Sequence, residues 1–169
     1  MTSTHLVALG NADAVRWVLS NQRMAFTEVG RRSAARVERG DKLVFYASLK
    51  CWPALGGEKR PKSGLLIGDA VVLTDVTRLQ EPVQVGGRRF QFGCEVFFEN
   101  LAPLGSGASI SELRDRLSLT AGRENFGQAL RRTPVLLSPN DTRLLSKELE
   151  ASATSFEESV DSYFSNRTP

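Results

Sequence analysis

Two strand-like segments joined by a glycine-containing turn constrain the fold of this chain most strongly. GLLIGDAVVLTDV (64–76) is the longest run of strand-forming residues, and FQFGCEVFFE (90–99) alternates imperfectly between apolar and polar residues. The turn VGGRR (85–89) leads into the second of these segments. We therefore predict that the two segments pair in one β-sheet.

Shorter strands surround this pair without a regular alternation of strand and helix. Three are expected, at THLVAL (4–9), at KLVFYAS (42–48) and, as the last strand, at TPVLLS (133–138). Short helices inserted irregularly between strands are typical of a small curved sheet or barrel and not of a doubly wound parallel sheet. The sequence therefore predicts an α+β fold.

Four short helices are predicted from capping residues and apolar spacing. They are expected over 12–22 after the N-cap Asn11, over 31–41 up to Gly40, over 110–119 behind the capping box of Ser109 and Glu112, and from Pro139 onward with Leu144, Leu145 and Leu149 turned inward.

The length of 169 residues suits one domain, which we place at residues 1–150. Residues 151–169 are rich in serine and acids, and this composition predicts a mobile C-terminal tail. Its aromatic residues offer the alternative that the tail docks as a helix; they are Phe156, Tyr163 and Phe164.

The charge is distributed unevenly along the chain. The net charge is +3, but residues 150–169 carry −3, so that residues 1–149 carry +6. A basic body of this size fits an anionic partner such as nucleic acid, although mildly basic proteins without such a partner are nearly as common. Arginines near strand ends are candidates for one basic rim: Arg31, Arg32, Arg36, Arg88, Arg89, Arg131 and Arg132.

Composition argues against cofactor, disulfide and membrane classes. Cys51, Cys94 and the single histidine His5 cannot supply a zinc tetrad or a disulfide framework, so we expect reduced thiols and no metal or other cofactor. No apolar run approaches the roughly 20 residues that a membrane span needs, and the first residues lack the features of a signal peptide. We therefore expect a cytoplasmic protein that does not enter a membrane.

The sequence offers no clear candidate residues for hydrolysis or for cleavage of a nucleotide. GGEKRPKSG (56–64) departs from a phosphate-binding P-loop, because a proline precedes its second lysine and a strand follows where a helix is required. Cys51 has only His5 as a base, at the far end of the chain. Asp41, Asp69 and Asp75 lie near strand ends, where carboxylates usually cap turns.

Trp52 lies beside a basic, glycine-rich loop, where no periodicity demands an apolar residue. It is either a plug that closes one end of the barrel or a platform that stacks on a flat ligand. As a platform it would act with Tyr46 and Ser48 from the preceding strand, and the local sequence slightly favours the plug.

Three segments taken in order resemble the EVE domain family, which belongs to the PUA-like superfamily together with YTH and ASCH domains. The first, MAFTEVGRRSAARVERGDKLVFYAS (24–48), is similar to the family's Gly-basic pair, Gly-Asp turn and aromatic strand at Gly30, Arg31, Gly40, Asp41, Tyr46 and Ser48. SGLLIGDAVV (63–72) resembles the following strand with its Ile67–Gly68 pair. The closing segment (117–149) matches at Phe126, Gly127, Leu130, Arg131, Ser138 and Asp141.

The resemblance implies a PUA-like pseudo-barrel with a pocket at one end, which the superfamily uses to hold a nucleobase, often a modified one, flipped out of its strand. A stacking aromatic beside basic residues suits such a pocket, because cations hold the phosphates while the ring replaces the stacking that the base has lost. The predicted function is therefore the non-enzymatic binding of DNA or RNA that carries a modified base.

This interpretation assigns roles to individual residues. Phe26, Tyr46 and Trp52 are candidate pocket walls, and Ser48 and Asn11 would select the polar edge of the base. Phosphates are expected on Arg31, Lys59, Arg60 and Lys62. The alternative is a small enzyme that acts on a nucleotide or an acyl-amide, with an acid such as Asp69 in the same pocket.

Overall fold

A computed structural model of the chain describes residues 2–57, 60–120, 130 and 133–164. Within these residues the chain forms strands of very unequal length. The strands are β1 (Thr4–Leu9), β2 (Arg23–Phe26), β3 (Lys42–Ala47), β4 (Leu65–Val72), β5 (Thr77–Val85), β6 (Arg88–Leu101), β7 (Ala108–Ser109), β8 (Val135–Leu136) and β9 (Thr154–Ser155).

The helices are short and lie between the strands. The α-helices of the described residues are α1 (Ala12–Asn21), α2 (Arg31–Ala34), α3 (Trp52–Leu55), α4 (Pro139–Ser152) and α5 (Phe156–Ser159), with 3₁₀ turns at Leu49–Cys51, Ser111–Arg116, Ser118–Thr120 and Val160–Tyr163. No helix in this part of the chain is long and apolar enough to cross a membrane.

The strands form one curled sheet in the order β2-β6-β4-β3-β1-β8, with β5 and β9 also on β6 and β7 on β4. The first half of β6 pairs with β2 and β5, and its second half pairs with β4. This 14-residue strand therefore connects the two parts of the curled sheet. β1 and β3 run parallel, and the other pairs are antiparallel. The predicted α+β class and the predicted pairing of 64–76 with 90–99 are confirmed.

Both faces of the sheet are covered by apolar side chains. Successive side chains of β3 point to opposite faces and therefore belong to two different core clusters. Leu43, Phe45 and Ala47 point into one core cluster, while Val44 and Tyr46 point into the other. The second cluster receives Leu145 and Leu149 from α4, and Leu144 packs against it half-buried. The predicted inward leucines of the terminal helix are therefore confirmed.

The helices α1 and α4 begin at the positions that their capping residues predict. The Ser138 hydroxyl accepts a hydrogen bond from the Asp141 amide, with Pro139 in the first turn, and the Asn11 side chain accepts one from the Ala14 amide. α1 ends at Gln22, which adopts a left-handed conformation.

Two other predicted helices are corrected. The segment 31–41 is helical only over Arg31–Ala34. The segment 110–119 forms 3₁₀ turns, because Ser109 belongs to β7, where it pairs with Leu65 and its hydroxyl bonds those of neighbouring serines. The strand predicted at 133–138 is restricted to Val135–Leu136, and β9 follows it.

Up to residue 164 the C-terminal segment follows the alternative to a mobile tail, in which its aromatic residues dock on the domain. Thr154 and Ser155 pair with the end of β6, and the Phe156 ring stacks on Phe98 at a centroid distance of 5.3 Å. The buried Tyr163 hydroxyl donates a hydrogen bond of 2.7 Å to the Ala102 carbonyl. The apolar residues of this segment outweigh its acids, so it packs as part of the domain; residues 165–169 lie outside the described residues.

Candidate functional site

A cavity of about 730 Å³ lies at the carboxyl ends of the parallel strands β1 and β3. Its walls come from the ends of these strands, from α1 and β2, and from the β5–β6 hairpin. The turn after β3 is tied to the end of β1, because the Ser48 amide and the Cys51 thiol both donate hydrogen bonds to the Leu9 carbonyl, at 3.0 and 3.3 Å. The site therefore depends on the one parallel pair of the described sheet.

Three aromatic side chains from three different elements line the cavity. Trp17 comes from α1, Tyr46 from β3 and Phe90 from the hairpin. Trp17 and Phe90 are half-buried, and Tyr46 is 9% exposed. Aromatic faces of this kind can stack on a planar ring, so the cavity can accept a flat aromatic ligand.

Tyr46 is fixed in position by close packing against Gly64. A Cβ atom at residue 64 would collide with the Tyr46 hydroxyl, so this approach requires glycine. Burial, with a smaller contribution from Cys51, raises the pKa of Tyr46 above its ordinary value of 10.0. The phenol therefore keeps its proton at neutral pH and can donate a hydrogen bond.

Among the described residues, three uncharged polar side chains other than those of the aromatic residues line the cavity. They are Asn11, Ser48 and Thr133. The Asn11 carbonyl oxygen already caps α1 with a bond of 2.8 Å from the Ala14 amide. Its amide nitrogen faces Gly86 at the hairpin turn, where a Cβ atom would come within 2.5 Å. Asn11 therefore caps α1 and packs closely against the turn of the hairpin. These two contacts fix the position of its side chain in the cavity wall.

Two exposed cations, Lys50 and Arg88, stand among the lining residues. Lys50 lies in the 3₁₀ turn after β3, and Arg88 begins β6 directly after the Gly86–Gly87 turn. No acid, histidine or cysteine is among the lining residues of the described chain. The cavity thus combines neutral aromatic walls with a positive rim, which suits an uncharged ring attached to an anionic backbone.

Three of the five residues predicted to bind a nucleobase line the cavity, namely Asn11, Tyr46 and Ser48. Phe26 and Trp52 do not, and their placement on the pocket wall is corrected. Phe26 lies opposite Phe92 on β6 and is 5% exposed in the core. Trp52 is 1% exposed in the same core, where α3 turns it inward, and its indole N–H has no partner among the described residues.

Of the four residues predicted to bind phosphate, the three that the structure describes do not line the cavity. Arg31 lies over the Phe92 ring and pairs with Glu28 at 3.7 Å. Arg60 and Lys62 are exposed in the loop before β4. Lys59 lies outside the described residues. Of the cations that do reach the cavity, Arg88 was a candidate for the basic rim from the sequence, whereas Lys50 was assigned no role.

Trp17 and Phe90 are the aromatic wall residues that sequence reasoning missed. Trp17 lies beside the buried stripe of α1, which consists of Ala12, Val15, Val18 and Leu19, and it packs half-buried against the same core. Its position beside that stripe was the available signal. Phe90 follows the Gly86–Gly87 turn by three residues, and an aromatic so near a hairpin tip was the corresponding signal.

The acids considered for catalysis have structural partners away from the cavity. Asp69 is 6% exposed in the middle of β4, where it accepts a bond of 3.0 Å from Asn100 and lies 3.8 Å from Lys42. Its placement in the pocket is corrected. Asp41 bonds the His5 ring at 2.9 Å where β1 and β3 begin, at the other end of these strands.

The Asp41 carboxylate gathers three donors at this opposite end. It accepts bonds from the Ser3 and Glu38 amides, each at 3.0 Å, in addition to His5. Burial acts to raise its pKa, but these bonds together outweigh burial and hold the pKa below its ordinary value of 3.8. No group of three or more potential metal ligands occurs within the described residues.

Comparison with solved structures relates the fold to YTH domains. The Pho92 YTH domain in complex with m6A is 11% identical, with 92% of this chain and 90% of the other covered and a TM-score of 0.60. The Mmi1 YTH domain in complex with RNA is 15% identical, with 89% and 79% covered and a TM-score of 0.53. The YTH domain of Zygosaccharomyces rouxii MRB1 in complex with N6-methyladenosine RNA is 10% identical, with 85% of each chain covered and a TM-score of 0.50.

These structures share with the chain a curled half-barrel sheet with short inserted helices, which is the fold of YTH domains. At such low identity the likeness concerns the fold alone. No protein-family model and no curated protein sequence matches the chain significantly.

Proposed function

We propose that this protein is a non-enzymatic reader of modified nucleic acid, which takes one modified nucleobase of a strand into the cavity between β1, β3, α1 and the β5–β6 hairpin. RNA is the first candidate partner and DNA the second. The observation that carries the proposal is that one cavity brings together the aromatic residues Trp17, Tyr46 and Phe90 with the cations Lys50 and Arg88.

The energetics of base extrusion require this combination. A base that leaves its strand loses the stacking of its neighbours, and an aromatic side chain can return about 1–3 kcal/mol of stacking per base. Cations near the mouth of the cavity can hold the phosphates on either side of the extruded nucleotide. Walls without charge favour an uncharged base over the phosphate itself.

The relatives by fold support the same function. The Pho92 YTH domain was solved in complex with m6A, and the MRB1 YTH domain in complex with N6-methyladenosine RNA. The Mmi1 YTH domain was solved in complex with RNA. The motifs that resemble the EVE family are a second, independent support for this proposal. We therefore include membership of the EVE family, and a preference for a methylated purine, in the proposal.

A binding role is favoured over the small-enzyme alternative by the groups around the cavity. Hydrolysis of a nucleotide or an acyl-amide calls for a general base or a nucleophile of suitable pKa. Tyr46 has its pKa raised away from neutrality, and Asp69 lies in the middle of a sheet with Asn100 and Lys42 as partners. A ligand in this cavity would therefore be held and released unchanged.

The proposal is tested by fluorescence anisotropy with labelled nonamers. Each methylated nonamer differs from its unmethylated counterpart in one methyl group. The probes are RNA and DNA nonamers with one central N6-methyladenine and their unmethylated counterparts. We expect tighter binding of the methylated RNA, and recovery of the intact oligonucleotide after long incubation. Equal affinity for methylated and unmethylated strands, or release of a cleaved or demethylated product, would contradict the proposal.

A further inference from the structure

One face of the β5–β6 hairpin continues from the cavity toward the far end of the hairpin. Residues directly opposite each other in an antiparallel pair lie on the same face of the sheet. The opposed pairs are Val85 with Arg88, Val83 with Phe90, and Arg78 with Phe92. Since Val85, Arg88 and Phe90 line the cavity, the same face leads from the cavity to Phe92 and Arg78.

Two exposed arginines converge at the end of this face. The Arg78 guanidinium carbon lies 4.9 Å from the centre of the Phe92 ring, and that of Arg31 lies 5.7 Å from it. Their side chains are 64% and 63% exposed, whereas Phe92 is buried. Contact with the same ring limits the movement of both guanidinium groups, while the exposed side chains keep N–H groups open to solvent.

Glu28 is the acid that these arginines face. It lies 3.7 Å from Arg31 and 3.9 Å from Arg78, and its side chain is half exposed. Exposed ion pairs at such distances contribute little, so a phosphate group can take the place of the carboxylate. Glu81 is the acid of β5 itself and lies in the irregular stretch between Arg78 and Val83.

The dimensions and charge of this face suit an extended strand. Arg88 and Phe92 are four residues apart on β6, about 13 Å at the rise of a β-strand. Three arginines and one half-exposed aromatic, Phe90, alternate along it with Glu28 as the acid beside them. Cations that follow a backbone and rings that stack on bases are the two elements of single-strand binding surfaces.

We infer that the strand flanking the bound nucleobase runs along this face, from Arg88 past Phe90 to Arg78 and Arg31. We call these four residues the hairpin track. The inference rests on the proposed function and deepens it, because it assigns the route of the partner strand outside the cavity. It also gives Arg31 the phosphate contact that the sequence suggested, at a place set by Phe92 and not by the cavity.

The track is tested with single substitutions at its far end, away from the cavity. Arg78→Ala and Arg31→Ala are compared with Arg143→Ala, which removes an exposed arginine of α4. The probes are a single-stranded RNA nonamer with one N6-methyladenosine and N6-methyladenosine 5′-monophosphate. We expect each track variant to weaken nonamer binding about three- to tenfold at low salt, and to lower the slope of log affinity against log salt by about 0.7. Binding of the mononucleotide should not change.

Two further variants separate charge from structure. Arg78→Lys keeps the charge and should retain most of the affinity, while a thermal melt verifies that each variant is folded. Glu28→Gln removes the competing carboxylate and should strengthen nonamer binding by a few-fold without affecting the mononucleotide.

The outcomes distinguish the track from the function on which it rests. If the parent protein prefers the methylated nonamer but Arg78→Ala and Arg31→Ala behave like Arg143→Ala, the track is wrong and the pocket stands. If the parent protein shows no preference for the methylated strand, the proposed function fails, and the track fails with it as the route of a strand from that pocket.

Discussion

Trp17 and Trp52 illustrate how burial separates two residues of the same type. Trp17 is half-buried on α1 and lines the cavity, whereas Trp52 is 1% exposed on α3 and belongs to the core. A ring at the cavity wall contributes to ligand binding, and a ring in the core contributes to folding. The two tryptophans therefore form a matched pair for substitution.

Replacement of each tryptophan by alanine should have opposite consequences. Trp17→Ala should weaken binding of the methylated RNA nonamer by about 1–3 kcal/mol and leave the salt dependence unchanged, because a neutral ring releases no counterions. Trp52→Ala should lower the free energy of unfolding by about 3–5 kcal/mol, which corresponds to a fall in Tm of roughly 10 °C. Anisotropy and thermal melts measure the two effects. Unchanged nonamer binding by a folded Trp17→Ala variant would remove Trp17 from the site.

Asp41 makes the stability of the protein depend on pH at the end of the sheet away from the cavity. Because its folded pKa lies below the ordinary value, the carboxylate stabilises the fold above about pH 4, and this contribution is lost as the pH falls through the folded pKa. We expect Asp41→Asn to lower the free energy of unfolding at pH 6 and to lose much of that effect toward pH 3. Urea denaturation at both pH values measures it, and an equal difference at both would contradict the assignment.

At the scale of elements, the cavity depends on the fit between the hairpin turn and the N-terminus of α1. Gly86 and Gly87 both have positive φ angles, of 58° and 77°. A Cβ atom at Gly86 would come within 2.5 Å of the Asn11 amide nitrogen, whereas one at Gly87 would meet nothing within 4 Å. The two glycines share the backbone requirement and differ in contact with the cavity wall.

Alanine substitutions at the two glycines should therefore differ in binding more than in stability. Both should cost about 1–2 kcal/mol of stability, because each forces a side chain into the left-handed region. Gly86→Ala should also displace the hairpin from Asn11 and weaken binding of the methylated nonamer well beyond Gly87→Ala. Equal affinities of the two folded variants would show that this contact does not shape the site.

At the scale of the whole molecule, the sequence specifies the strongly patterned elements. The runs at 64–76 and 90–99 and the capped helix from Pro139 carry enough apolar residues to be recognised locally. β5 was missed because it is a largely exposed strand with Pro82 and charged residues, stabilised by its pairing with β6. The docking of 154–164 was only an alternative from the sequence, because its few aromatics find partners far away in sequence, such as Phe98 and Ala102.

The candidate site was predictable to the extent that it lies at strand ends. Tyr46 and Ser48 follow directly from the end of β3, and Asn11 from the end of β1. Trp17 and Phe90 reach the same cavity only through the packing of α1 and the hairpin against those strands, which no local pattern encodes. Trp52, in contrast, was a candidate for the pocket wall but lies in the core, because the turns after β3 direct its ring inward.

Tryptophan fluorescence tests most directly whether a modified base enters the cavity. The chain has two tryptophans, so Trp52→Phe leaves Trp17 as the sole reporter in the cavity wall, and Trp17→Phe leaves Trp52 in the core. Titration of the folded Trp52→Phe variant with the N6-methyladenosine RNA nonamer should quench its emission to saturation, because the base stacks on Trp17. The unmethylated nonamer should quench much less at equal concentration, and the Trp17→Phe variant should not respond. Equal quenching by both nonamers, or none from Trp17 while the nonamer is bound, would contradict the account.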